Sequence, residues 1–86
     1  MPDLVQIQGL VNDALKLASQ NKHLFKNDPV NWADLRCTDV EWCVSVHENQ
    51  YLRVTISEAA PNCKLTTFIR DYLQGTGPDI EVISEW

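Results

Sequence analysis

Residues 38–46 read Thr38-Asp39-Val40-Glu41-Trp42-Cys43-Val44-Ser45-Val46, and the reading of this stretch decides the fold. Apolar side chains fall on every second position, so Val40, Trp42, Val44 and Val46 share one side with Thr38. Asp39, Glu41, Cys43 and Ser45 occupy the other, joined by Cys37 and His47 just beyond the stretch. Period-two alternation is the mark of a strand covered on one face only. Residues 51–58 repeat the pattern, with Leu52, Val54 and Ile56 against Tyr51, Arg53, Thr55 and Ser57. Pairing the two runs as a hairpin sets Val46 opposite Leu52, Val44 opposite Val54 and Trp42 opposite Ile56. A slip by one residue would oppose apolar and polar side chains, so the parity of the register is strongly specified. This alignment leaves Glu48, Asn49 and Gln50 as the connecting loop, with Asn49 or Gln50 left-handed.

Working outward, residues 4–20 place Leu4, Ile7, Leu10, Val11, Ala14, Leu15, Leu17 and Ala18 at helical spacing. Asp3 is its natural cap, with Gln6 three places on. Gly9 lies inside this helix at a cost of roughly 1 kcal/mol relative to Ala, and is read as merely tolerated. The stretch 21–34, punctuated by Asn27, Asp28, Pro29 and Asn31, is a surface connection in which Trp32 lids the core. Beyond the hairpin, Ala59, Ala60 and Pro61 end the second strand and Asn62 is placed to cap a second helix. Leu65, Phe68, Ile69, Tyr72 and Leu73 form its buried stripe, and Gly75 sits where the C-terminus takes a left-handed residue. The last residues are a third strand, with Ile80 and Val82 inward and Glu81, Ile83 and Glu85 outward.

The element order is therefore α-β-β-α-β. The expectation is an α+β two-layer sandwich, residues 1–86 as a single domain, with a three-stranded antiparallel sheet. A crossover helix sets the third strand beside the first, in sheet order 2-1-3. Because every strand has one apolar side, both helices are expected on the same face, leaving the other open.

The chain has 86 residues, with 12 acidic and 7 basic side chains and a formal charge of −5. One domain of this size buries only about 60% of its unfolded surface or a little more, so association is a reasonable route to further stability. Residues 39–86 carry eight acids against Arg53, Lys64 and Arg70, and hence all of the net charge. That sign opposes binding to phosphate backbones or to anionic membrane surfaces. No run approaches the ~20 apolar residues of a membrane span and no basic leader precedes an apolar stretch, so a soluble cytoplasmic protein is expected. Three cysteines cannot all pair within the chain, and free thiols follow.

Cys37 and Cys43 would lie roughly 20 Å apart along a strand, and Cys43 and His47 roughly 13 Å, too far for one metal ion or a thiol–imidazole pair. No metal or other cofactor is expected. Cys63, in the first turn of the second helix beside Lys64, is the reactive-thiol candidate. Neither a resolving CxxC partner nor a phosphate loop, GxSxG turn, HExxH pair or EF-hand loop is present, and no catalytic residue is assigned.

These features favour a non-catalytic protein-interaction or regulatory module. Its contact surface is the open, acidic sheet face carrying Asp39, Glu41, Cys43, Tyr51, Arg53, Ile83 and Glu85. The partner is another protein or a second copy, the latter as a homodimer through the sheet face or the edge of the third strand. Two alternatives belong to other classes: an inhibitor whose acidic half imitates nucleic acid, and a thiol-dependent enzyme or redox sensor using Cys63.

Overall fold

A computed structural model describes residues 3–86. Helix α1 spans Leu4–Ser19 and is followed by a 3-10 turn at Lys22–Phe25; strands β1 (Arg36–Val44) and β2 (Gln50–Ser57) form the hairpin. Helix α2 covers Lys64–Leu73, runs into a 3-10 turn at Gln74–Thr76, and leads to β3 (Asp79–Glu85). The α-β-β-α-β order and the compact α+β class are thus as the periodicities dictate.

The sheet departs from expectation. Its order is β1-β2-β3, so β2 is central, and β3 pairs with β2 rather than with β1. That pairing is parallel while β1 and β2 are antiparallel, so the sheet is mixed. The physical reason lies in the connection. A strand, a crossover helix and a further strand make a βαβ unit, which returns the chain parallel to the strand it left. Hydrogen bonds at the end of β2 secure the arrangement: the amides of Glu58 and Ala59 both donate to the Glu85 carbonyl, and Ser84 Oγ donates to the Ala60 carbonyl at 2.7 Å.

The hairpin register keeps its parity and slides by four residues. Trp42 faces Leu52 and Val40 faces Val54, while Val44 reaches only Gln50. The connecting loop consequently lengthens to residues 45–49. Ser45 organises it, its Oγ accepting from the amides of His47 and Asn49 and its own amide donating to the Asn49 carbonyl. The left-handed residue is Glu48 (φ 62°), neither Asn49 nor Gln50. At the other end of β1 a bulge between Cys37 and Asp39 resets the alternation. Cys37 thereby pairs with Ile56 and packs against the core, and Thr38 is the exposed residue, its hydroxyl donating to the Thr55 carbonyl.

One apolar cluster holds the molecule together. Ile7, Val11, Ala14 and Ala18 of α1 meet Leu52, Val54 and Ile56 of β2 and Leu65, Ile69 and Leu73 of α2, all fully buried. Phe25 joins them, and Trp32 packs beside it with ring centroids 6.0 Å apart, closing the core as expected of a lid. The β1 residues Val40 and Trp42 contribute partly buried surface, whereas Val44 is 63% and Val46 94% exposed.

Asp3 caps α1 by accepting from the Val5 amide at 3.0 Å. The cap of α2 differs from expectation: Cys63, not Asn62, is the N-cap residue, and Asp28 from the distant α1–β1 connection accepts from the Leu65 amide at 3.1 Å. Such a carboxylate satisfies an orphan amide and complements the helix N-terminus. The left-handed residue after α2 is Gly77 (φ 106°) rather than Gly75, because the 3-10 turn carries the chain two residues further. A methyl group added at Gly9 would meet nothing within 4 Å, in accord with a tolerated glycine.

Candidate functional site

The residues of β2 that alternate with the buried Leu52, Val54 and Ile56 turn away from the core cluster, and the register assigns their neighbours. Three rows cross this face: Cys43, Tyr51 and Asp79; Glu41, Arg53 and Glu81; Asp39, Thr55 and Ile83. Arg36, Ser57 and Glu85 add a fourth at one end. Every residue proposed for the contact surface from the sequence, from Asp39 to Glu85, therefore lies on one face. Alternation alone was sufficient to find them. Arg36 and Asp79 also lie on this face and are not legible in the alternation: the bulge turns Arg36 to this side, and Asp79 precedes the alternating run that begins at Ile80.

The rows themselves could not be read from sequence, because they depend on which strand is central. With β3 beside β2, Arg53 stands between two carboxylates instead of at the margin of an acidic cluster. Its Nη1 is 3.5 Å from Glu41 Oε1 and its Nε 3.5 Å from Glu81 Oε1. Nε lies out of solvent and forms no hydrogen bond, so its contact with Glu81 is purely one of charge. Nη2 donates to the Tyr51 hydroxyl at 3.1 Å, and the guanidinium carbon lies 5.9 Å from the Tyr51 ring centroid. Cys43 and Tyr51 in their ionised forms, followed by Glu81 and the tyrosine hydrogen bond, raise the Arg53 pKa against a lowering by desolvation.

Half-exposed ion pairs of this kind add little to stability. Their stronger effect is orientation: two acids and a phenol hold one long side chain in a fixed direction. The face then carries the carboxylates of Asp39, Glu41, Asp79, Glu81 and Glu85 on its outer strands. Against them stand Arg53 in the middle and Arg36 at one end, with Cys43, Tyr51 and Ile83 half-buried among them. The arrangement thus gathers paired charges, a phenol ring and its hydroxyl on one surface.

Of the three cysteines, Cys43 lies on this face, and Cys37 and Cys63 pack against the core. All three are free and partly buried. Cys37 donates to the Asp39 carbonyl; burial pushes its thiol up, a backbone hydrogen bond at Asp39 opposes the rise, and the Asp39 charge adds to it. Cys63 sits at the N-cap of α2, one position before the first turn where the sequence reading set it. It packs against the core, and the acidic group at that helix end is Asp28. Among the described residues no three His, Cys, Asp or Glu side chains gather as metal ligands, and no helix is long and apolar enough to cross a membrane.

Compared with protein-family models, curated proteins and solved structures, the chain matches none.

Proposed function

We propose that this protein is a non-catalytic interaction module whose uncovered sheet face, with both helices on the opposite side, docks a protein partner carrying complementary basic groups. The observation that carries the reading is the Glu41–Arg53–Glu81 row: a half-buried arginine held from both sides, beside a tyrosine, on a face with five carboxylates. Tyrosine and arginine are the residue types that dominate binding energy at interfaces, and holding them in place beforehand reduces the entropy lost on docking. The surplus of acid favours a basic partner and accelerates its approach. The same surplus disfavours a face-to-face homodimer, which would bring two acidic surfaces together.

A photo-crosslinking amino acid placed at Thr55, in the middle of the face, tests this in native lysate, with Asp71 on the exposed side of α2 as the control position. The expected result is a discrete adduct from Thr55 that is absent from Asp71 and is lost when Glu41 and Glu81 are changed to Lys. Matching adducts from both positions, or an adduct indifferent to the charge reversal, would refute the reading.

A further inference from the structure

The free edge of β3 is bordered by a groove of about 390 Å³. Its floor is five consecutive β3 residues, 80–84, and its wall is Arg70 of α2 together with the Pro61–Asn62 turn. Among the described residues, β2 is the only strand that pairs with β3, so the backbone groups on its outer edge have no strand partner. The strand has none of the usual backbone protections of an edge. Its register runs unbroken from Asp79 to Glu85, with neither proline nor bulge. The other edge strand, β1, is interrupted between Cys37 and Asp39.

What this edge does carry is charge at alternate positions: Asp79, Glu81 and Glu85. A second copy of the chain is a poor occupant for that reason. Antiparallel two-fold pairing that engages five or more residues of β3 is centred on Glu81, Val82 or Ile83. The first opposes Glu81 to itself, the second Asp79 to Glu85, and the third Glu81 to Glu85. Like charges directly opposite on neighbouring strands are destabilising. A segment with cations at alternate positions turns each of those contacts into an attraction.

We infer that β3 and its groove bind an extended peptide segment of a partner by strand addition, the segment alternating Lys or Arg with short apolar residues. Its basic side chains pair with Asp79, Glu81 and Glu85 on the open sheet face. Its apolar side chains lie against Ile80 and Val82 beside the Arg70 stem. The inference rests on the interaction-module reading and specifies the partner's chemistry and its mode of docking.

The test uses the full chain, isotopically labelled, and three blocked peptides: TKVKVKT, the scrambled TKKVVKT and the acidic TEVEVET. Strand addition requires TKVKVKT to bind at least tenfold more tightly than the scrambled peptide and to slow hydrogen exchange at β3 backbone amides. Glu81→Lys and, separately, Glu85→Lys, each checked for retained circular dichroism, should weaken TKVKVKT and admit TEVEVET. Equal binding of the alternating and scrambled peptides overturns the inference, as does the absence of binding. Chemical-shift changes confined to the Glu41–Tyr51 side, without β3 protection, overturn strand addition while leaving the sheet-face reading intact. Self-association of the free protein through β3 overturns the assignment of the occupant.

Discussion

β1 and β2 carry the same alternation, yet they serve the core unequally. Leu52, Val54 and Ile56 of β2 are all fully buried, whereas on β1 burial fades along the strand, from partly covered Val40 and Trp42 to exposed Val44. The difference follows from position. β2 has a strand on each side, and its apolar residues join those of α1 and α2, while β1 has a strand on one side only and its end extends beyond the core cluster. Alternation therefore reports which way a side chain points and not how much covers it.

The sharpest test of this inequality is a pair of truncations. Ile56→Ala should cost about 2–5 kcal/mol, the range for a large buried aliphatic cut to a methyl group. Val44→Ala should stay within about 0.5 kcal/mol, as for an exposed site. Urea unfolding followed by circular dichroism measures both, and similar midpoints for the two variants would mean that β2 is not the strand that carries the core.

The hairpin register offers a second, smaller test. Glu48 is left-handed (φ 62°), which costs a non-glycine residue about 1–2 kcal/mol. Glycine removes that strain but loses roughly 0.5–1 kcal/mol through its freer unfolded chain. Glu48→Gly should therefore raise stability by about 0.5 kcal/mol, the difference of those two effects. A matching gain from Asn49→Gly and none from Glu48→Gly would favour the shorter loop and the register that goes with it.

The smallest expected effect concerns the bulge. Because burial holds the Cys37 thiol above its ordinary value of 9.0, the folded state keeps that proton more tightly than the unfolded state. Its contribution is complete below that value and is lost as the pH rises through it and on towards the folded-state pKa. The stability difference between wild type and Cys37→Ala should shrink correspondingly in strongly alkaline solution. A difference flat with pH would place Cys37 outward and remove the bulge.

The extent to which the chain was legible can be traced residue by residue. Asp3 was identifiable as a cap because its amide partner lies two residues away; Asp28 was not, because its partner is Leu65, across the fold. The face holding Glu41, Tyr51, Arg53 and Ile83 was readable from parity, which survives any even shift of register. The Glu41–Arg53–Glu81 row was hidden, since it requires knowing that β2 is flanked on both sides. The bulge at Cys37 leaves no trace in a pattern whose polar and apolar residues remain plausible on either side of it.

Local chemistry in the sequence was enough to set the element order, the parity of β2, of β3 and of β1 beyond its bulge, and the surface on which the acidic and aromatic groups gather, because these depend on neighbours a few positions apart. Sheet order, strand direction and hairpin register were settled only in three dimensions. Each reflects competition among distant surfaces for one small core, in which β2 offered the most completely coverable apolar side and α2 returned the chain alongside it.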